Sequence, residues 1–261
     1  MKLKALLFGL TAALALSASA SAAIRTYTYG NKFSRIKIET GVPVEYVVKS
    51  GPVSIEAEGS DEYLQDLKIS VKNGELWIRI ERKGGNVNIN QKTLSRVSVS
   101  GPVLENIEAS SGARFKSCSA FDIGNKNFKV NTSSGSSVEI DGSMTCGSLS
   151  VGTSSGSKVE IERCSAAKSV KVDTSSGSKV DIECVTATLD INASSGSSVS
   201  AEGTAGTASL NASSAAKIDA TDIIAEKMTI DASSASSVCH STKKAVEKKS
   251  SSATIKYRKR K

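Results

Sequence analysis

The chain has 261 residues, only 4% of them aromatic, and a formal net charge of +8. So few aromatic residues favour thin, stacked layers over a thick globular core. The charge does not indicate nucleic-acid binding by the body of the chain, because nine Lys and Arg residues against one Glu in residues 243–261 account for the whole +8.

Residues 1–23 are typical of a secretory signal peptide. A basic start precedes an apolar stretch, residues 5–16, and small residues follow as far as Ala23. The apolar stretch is too short to span a bilayer, and small residues mark signal-peptidase sites. We therefore expect cleavage after Ala22 or Ala23, export to the periplasm or the cell surface, and no transmembrane segment in the remainder.

Residues 24–106 contain several short runs in which apolar and polar residues alternate, which is typical of β-strands. The runs are 34–39, 44–48, 53–57, 67–71 and 76–80. The last two flank Asn73-Gly74, a dipeptide favoured in tight hairpin turns. This part is predicted to form either wider coils or a hairpin-containing cap, since an uncapped stack of strands exposes an edge.

Residues 107–257 repeat a Ser-Ser-Gly or Ser-Ser-Ala motif every 19 to 23 residues. The first serines are Ser110, Ser133, Ser154, Ser175, Ser194, Ser213 and Ser233. Apolar residues alternate on both sides, as with Val170 and Val172 before Ser175 and Val180 and Ile182 after it. Each repeat is therefore predicted to be a strand, a corner, a second strand and a more variable third edge.

One such unit cannot bury its apolar face, whereas a stack of units can. Equivalent strands would pair in parallel about 4.8 Å apart, giving about twelve coils of about 20 residues each. The usual chirality of parallel connections favours right-handed winding. The sequence thus predicts an all-β, right-handed, single-stranded parallel β-helix over residues 24–257, as one domain, followed by a basic tail, residues 258–261.

The corners have a structural explanation. Serine hydroxyls can bond backbone groups left unpaired at a bend, and glycine tolerates positive φ there. The residues two positions before the first serine suit an Asx-type turn: Asn131, Gly152, Asp173, Asn192, Asn211 and Asp231. We favour this structural role over the alternative, a ligand-binding ladder of serines.

The sequence offers few candidates for catalysis or metal binding. Residues 152–156 match the G-x-S-x-G pattern of serine hydrolases, but a sister copy reads Asn-Thr-Ser-Ser-Gly in the same register, and the chain has a single histidine, His240. That pattern needs a histidine partner, and we expect His240 to be a coil-end residue. No metal-ligand spacing such as C-x-x-C occurs. We therefore predict no catalytic residue, no metal and no cofactor, and leave the binding residues unassigned.

The five cysteines fall at different offsets from their corner serines: Cys118, Cys146, Cys164, Cys184 and Cys239. Cys164 and Cys184 are 20 residues apart and would be neighbours on adjacent coils. An exported protein can form disulfides, but we favour buried free thiols over a bridge between these two.

Carbohydrate-active enzymes are the main catalytic class to weigh for a β-helix. They need clustered carboxylates and often aromatic platforms for sugars. The outward carboxylates Asp173, Glu183, Asp190, Asp219 and Asp231 are interpreted as sharing no register, and Trp77 is the one tryptophan. We therefore predict a protein without enzymatic activity. The widest gap between corners, from Ser110 to Ser133, is predicted to hold a protruding loop within residues 114–126.

The order of motifs resembles the head GIN domain family, described as putative autotransporter adhesins of Bacteroidetes-type bacteria. The resemblance rests on residues 36–46, the turn at 71–78, the lead-in at 104–112 and the serial Ser-Ser-Gly/Ala copies. It implies a right-handed β-helix in the cell envelope. This chain departs from the family pattern where Tyr257 is followed by Arg-Lys-Arg-Lys.

We accordingly expect a non-catalytic, adhesin-like binding or interaction module of the bacterial cell envelope. A carbohydrate-active enzyme and a purely structural periplasmic protein are the alternatives. The expected partner is a glycan or an envelope protein rather than nucleic acid. The basic tail is expected to make a weak contact with an anionic envelope surface.

Overall fold

The computed structural model describes residues 23–29, 32–81, 94–250 and 252–259. All but the last residue of the predicted signal peptide, and the end of the basic tail, lie outside the described residues. Of the described residues, 68% lie in strands and 2% in helix, which confirms the all-β prediction.

The described part of the chain contains nineteen strands and one short helix. They are β1 (Ala23–Tyr29), β2 (Arg35–Ile38), β3 (Pro43–Val48), β4 (Val53–Gly59), α1 (Asp61–Asp66), β5 (Leu67–Lys72), β6 (Glu75–Ile80), β7 (Leu94–Gly101), β8 (Asn106–Ala109), β9 (Arg114–Ser117), β10 (Phe121–Asp122), β11 (Asn127–Thr132), β12 (Ser137–Thr153), β13 (Lys158–Thr174), β14 (Lys179–Ala193), β15 (Ser198–Ala212), β16 (Lys217–Ala232), β17 (Ser237–His240), β18 (Val246–Lys249) and β19 (Thr254–Tyr257). The helix lies in a stretch where only strands or turns were expected.

From β8 onward, each coil pairs in parallel with the next. In β13 and β14, for example, Val159 pairs with Val180 and Val172 with Ile191. Each long strand winds through three faces, which we define on β13. The second face is residues 158–161, the third face is 163–166, and the first face is 169–174, just before the corner. The predicted parallel β-helix is therefore confirmed.

Inward side chains of equivalent strands form ladders that run along the stack. The clearest ladder is at most 1% exposed and consists of Val138, Val159, Val180, Val199, Ile218 and Val238. β-Branched residues fit this position because they pack well on a pleated surface. Each such buried side chain stabilises the fold by roughly 1.5–3 kcal/mol, so the narrow core gains its stability by repetition.

Residues 23–101 do not follow the simple coil order. Strand β2 lies between β6 and β8, and β3 lies between β7 and β9. Strand β4 pairs antiparallel with both β1 and β7, and β5 and β6 form an antiparallel hairpin at Asn73-Gly74. Of the two alternatives left open by the sequence, the structure shows the hairpin-containing cap. The stack has about 8 turns rather than the predicted twelve. The reason is that part of residues 23–101 forms antiparallel pairs, which use up residues without adding turns of parallel strands.

The predicted protruding loop within residues 114–126 is wrong. This segment contains β9 and β10, which both pair in parallel with β12. Phe121 of β10 is fully buried, and its ring lies 6.4 Å from that of Tyr46 and 5.6 Å from that of Phe128. Burial of this ring holds the segment against the stack.

Candidate ligand-binding groove along the corners

Each Ser-Ser-Gly corner is a tight turn in which two consecutive residues have positive φ. In Ser133–Ser136, φ is 53° at Ser134 and 72° at Gly135, and the Ser136 N–H donates to the Ser133 carbonyl at 3.3 Å. These features define a type I′ turn. Two later coils place alanine at the glycine position, with φ of 64° at Ala215 and 61° at Ala235.

The corner backbone is hydrogen-bonded mainly to the neighbouring coils. The Gly135 N–H donates to the Ser155 carbonyl at 3.0 Å, and the Ser133 N–H donates to the Ala109 carbonyl at 3.1 Å. The hydroxyl that supports the corner belongs to the residue after the glycine, since the buried Ser136 hydroxyl reaches the Ala109 carbonyl at 2.7 Å. Its buried equivalents are Ser157, Ser178, Ser197 and Ser236. Sequence reasoning had assigned this bonding to the motif serines themselves.

The first serine of each motif has a different environment. Its hydroxyl makes no hydrogen bond to any described residue. In the six motifs from Ser133 to Ser233, this serine lines a groove of about 800 Å³ that runs along the first-face side of the corners. The groove is lined by the first serine and the two residues before it in successive coils. The outer row of that lining is Glu108, Asn131, Gly152, Asp173, Asn192, Asn211 and Asp231.

The outer row is linked from coil to coil by side-chain amides. Asn211 Nδ2 donates to Asn192 Oδ1 at 2.9 Å, and Asn192 Nδ2 donates to Asp173 Oδ1 at 2.9 Å. An amide nitrogen carries two N–H groups, so Asn192 keeps one for a ligand. Local Asx-type turns were expected here, but these side chains bond the equivalent residue of the adjacent coil.

Two carboxylates of the outer row form ion pairs with lysines. Asp173 pairs with Lys171 at 3.1 Å, and Asp231 pairs with Lys248 at 3.2 Å. Gly152 interrupts the row, and a Cβ added there would lie 2.9 Å from Asn131 Oδ1. Beyond Gly152 the row of polar side chains continues without a gap from Asp173 to Asp231, and its members from Asp173 to Asn211 are joined by side-chain hydrogen bonds.

The inner wall of the groove is formed by the residue just before the first serine. It is threonine in three coils, at Thr132, Thr153 and Thr174, and Thr153 Oγ1 donates to Thr174 Oγ1 at 2.7 Å. It is alanine in the coil before these, Ala109, and in the coils after them, Ala193 and Ala212. The threonine hydroxyls are thus already engaged, and the groups left for a ligand are the amides, the carboxylates and the first serines.

Trp77 lies in the same outward register as the outer row, because it pairs with Lys37, which pairs with Glu108. The Arg79 guanidinium lies 3.5 Å from its ring centroid, and its Nε1 donates to Glu39 Oε2 at 2.9 Å. Arg79 covers one face of the ring, so that face offers no platform for stacking a sugar.

The interpretation that the five outward carboxylates share no register is wrong, because Asp173 and Asp231 both belong to the outer row. A third member of the five, Asp219, belongs to a separate row with carboxylates that the interpretation did not include. On the second face, Glu139, Glu160 and Asp181 pair in sequence, and Ser200 and Asp219 continue the column. A smaller groove of about 500 Å³ beside it is lined by several carboxylates, including Glu160, Asp181 and Glu183. Neighbouring lysines reduce its negative charge, as Lys179 does for Asp181 at 2.7 Å. Within the described ranges, no cluster of three His, Cys, Asp or Glu residues could hold a metal ion.

His240 lies on β17, inside the end of the stack, and is 1% exposed. Its Nε2 lies 3.0 Å from Glu247 Oε1, and its ring meets that of Tyr257 edge to face at 5.8 Å. The residues that line the corner groove do not include it. The structure therefore does not bring together His240 and the G-x-S-x-G residues in this groove.

The cysteines are free thiols in this structure, with Cys118 exposed and the other four buried. Cys164 and Cys184 are neighbours on adjacent coils, as their spacing predicted. Burial raises the pKa of the Cys184 thiol to about 12. A thiol with this pKa is a poor nucleophile near neutral pH, so the third face carries no reactive site at Cys184.

The fold is similar to that of several solved structures. A putative lipid binding protein from Parabacteroides distasonis superposes with a TM-score of 0.71 at 13% identity, over 89% of this chain and 93% of that one. A putative adhesin from Bacteroides fragilis gives 0.59 at 16%, over 89% and 95%. One from Parabacteroides merdae gives 0.51 at 16%, over 92% and 97%. At these low identities, it is the superpositions that show a common fold.

No curated protein matches this chain, and none of the described helices is long and apolar enough to cross a bilayer. The family profile described as "Putative auto-transporter adhesin, head GIN domain" (DUF2807) matches residues 32–183 and 149–260. Together the two matches cover almost all of the described chain. The chain therefore belongs to the putative auto-transporter adhesin, head GIN domain family.

Proposed function

We propose that this chain is a non-catalytic, adhesin-like binding module of the bacterial cell envelope, and that it binds an extended glycan in the corner groove. The observation that carries this proposal is the row of amides and unbonded serine hydroxyls along the groove. Export, and display in the periplasm or at the cell surface, is part of the same proposal.

The geometry of the groove suits a linear ligand with regularly spaced hydroxyls. Equivalent side chains recur at the coil spacing of about 4.8 Å, so each coil from Asn131 to Asp231, except that of Gly152, offers an amide or carboxylate and a serine hydroxyl in equivalent positions. A single hydrogen bond contributes only about 0.5–1.5 kcal/mol net. Hydrogen bonds from several coils are therefore needed to bind a glycan tightly, and the groove arranges these coils in a straight row.

A lipid is the other ligand class to consider, because one structural neighbour is described as a putative lipid binding protein. An acyl chain needs an apolar cavity to be removed from water. The outer wall of the corner groove is made of Asn, Asp and Ser side chains instead. The groove therefore favours a glycan over a lipid chain.

The test is a glycan-array screen, followed by calorimetry, on residues 24–261 and on the double variant Asn192→Ala/Asn211→Ala. We expect the variant to bind the selected glycan at least ~10-fold more weakly, because two amide contacts are lost. The matched control is Thr188→Ala/Thr207→Ala, which changes exposed residues of the same two strands outside the groove lining. Equal affinity for both variants would contradict the groove assignment.

A carbohydrate-active enzyme remains the second candidate, because the carboxylates of the second face share a register. Hydrolysis of a glycosidic bond uses two carboxyl groups that flank it. Incubation of residues 24–261 with the glycans that bind, with detection of new reducing ends, tests this candidate. Release that is abolished by Asp181→Asn would establish the enzyme and overturn the non-catalytic proposal.

A further inference from the structure

The last coil that the structure describes, residues 241–250 and 252–259, concentrates positive charge on an exposed surface. We call it the terminal coil; it includes β18 and β19. Its basic residues, all exposed, are Lys243, Lys244, Lys248, Lys249, Lys256, Arg258 and Lys259. The one acidic residue in this segment is Glu247, and its carboxylate lies against His240.

Basic residues are neutralised in many other parts of the described stack. Lys116 contacts Asp141 at 3.0 Å, and Arg96 contacts Glu58 at 3.3 Å. In the terminal coil, Lys248 contacts Asp231, whereas the other six basic residues form no ion pair with any described residue. Two of these six, Lys256 and Arg258, line a groove that also contains Asp181 and Asp219. The terminal coil nevertheless keeps a net positive charge, since its seven described basic residues are opposed within it by Glu247 alone.

The terminal coil also exposes apolar surface. Among the described strands, β18 pairs only with β16 and β19 only with β17, so each has an open edge. Val246 is 69% exposed and Tyr257 is 48% exposed. Lysines on an open edge prevent edge-to-edge aggregation, but that role does not require exposed apolar side chains beside them. Basic residues around exposed apolar and tyrosine side chains are typical of surfaces that lie on a membrane.

We propose that the terminal coil is a docking surface for an anionic membrane. The lysines and Arg258 face lipid phosphates, and Val246 and Tyr257 enter the headgroup region. This extends the contact expected for the basic tail to a whole folded coil. The proposal is independent of the corner groove, whose lining extends from Glu108 to Ser233 and remains open to a ligand when the terminal coil is docked.

The test measures sedimentation of residues 24–261 with vesicles of phosphatidylcholine alone and of equal parts phosphatidylcholine and phosphatidylglycerol. The test variant replaces Lys243, Lys244, Lys249 and Lys256 by glutamine. The charge-matched control replaces four other exposed lysines without described ion pairs by glutamine, namely Lys49, Lys129, Lys168 and Lys227. A third variant replaces the four terminal-coil lysines by arginine.

We expect binding only to vesicles that contain phosphatidylglycerol, and loss of that binding at high salt. Each lysine near an anionic surface strengthens binding by roughly 5-fold, so the test variant should lose at least ~10-fold more affinity than the control. The arginine variant should bind like the original chain. This comparison, and the salt dependence of the original chain, remain informative if the glutamine variant does not fold.

Three outcomes would overturn the proposal. Absence of binding to the anionic vesicles is the first. Equal weakening by the test and control variants is the second, because it would indicate a response to net charge rather than to this surface. The third is lysine-dependent binding to soluble heparin without vesicle binding, which would assign the surface to a soluble polyanion.

Discussion

The alanines at two corners give a sharp test of how the turns shape the stack. Ala215 occupies the left-handed region with φ of 64°, where the equivalent corner of another coil has Gly156 with φ of 72°. An L-residue in this region carries a penalty of roughly 1–2 kcal/mol. Glycine avoids that penalty but loses about 0.4–1 kcal/mol more conformational entropy on folding than alanine.

The two substitutions should therefore have opposite signs. Ala215→Gly is expected to stabilise the chain by about 0.5–1 kcal/mol, and Gly156→Ala to destabilise it by a similar amount. A Cβ added at Gly156 would meet no atom within 4 Å, so no steric clash contributes to the second value. Adding Ala235→Gly, in the next coil, should about double the gain.

The assay is urea unfolding of residues 24–261, followed by circular dichroism, with the midpoint and slope compared among variants. A shift of the midpoint at constant slope reports a change in stability, whereas a changed slope would indicate that the coils unfold separately. Destabilisation by Ala215→Gly, or no effect of Gly156→Ala, would refute the argument from backbone conformation.

Three further predictions follow from the buried contacts. Ser157→Ala should destabilise the chain by about 1–3 kcal/mol in the same assay, because the buried Ser157 hydroxyl donates to the Ser154 carbonyl and accepts from the Thr132 hydroxyl. The control is Ser155→Ala at an exposed position, and an equal loss of stability in both variants would contradict the role assigned to Ser157. Gly142→Ala should cost more than about 3 kcal/mol, since its Cβ would lie 1.9 Å from the Ser119 carbonyl oxygen; a normal unfolding midpoint would show that the close approach is wrong. Burial raises the pKa of the Cys184 thiol to about 12, so the thiol ionises at a lower pH in the unfolded chain than in the folded one. The free energy of unfolding should therefore fall as the pH rises above about 9. Cys184→Ala should make this fall with pH less steep, and an equally steep fall in the variant would contradict the prediction.

The regular half of the fold could be predicted from the sequence because each coil repeats the same pattern of apolar residues and the same corner motif. Alternating apolar residues on both sides of Ser175 indicate two inward-facing strands, and glycine in the motif indicates a corner with positive φ. Coils with the same pattern bury their inward-facing apolar side chains when they stack in register.

The first part of the chain could not be predicted in the same way. Strand β2 pairs with β6 and β8, which follow it in the chain by about 40 and 70 residues, and no sequence period records such pairings. Its corner is formed by Thr40 and Gly41, both with positive φ, and lacks the Ser-Ser signature. The burial of Phe121 likewise depends on Tyr46, which is distant in sequence.

The candidate site was only partly accessible from the sequence. The outer row was identified as a set of polar positions, but its bonding between coils depends on the register of paired strands. The carboxylate column could have been found, because Glu160 and Asp181 each stand six residues after a first serine. The angle of the corner decides which outward row of side chains borders a concave surface. The sequence does not contain that angle, so the groove could be identified only from the structure.

The in-register stacking of the coils also determines how this surface can change in length. Duplication of one coil, such as the 19 residues from Ser175 to Ala193, would insert a complete copy of each row without disturbing the neighbouring pairs. The groove would lengthen by about 4.8 Å and gain one amide or carboxylate and one serine hydroxyl. Groove length, and with it the length of ligand that can be held, can therefore vary in whole-coil steps while the corner and core remain unchanged.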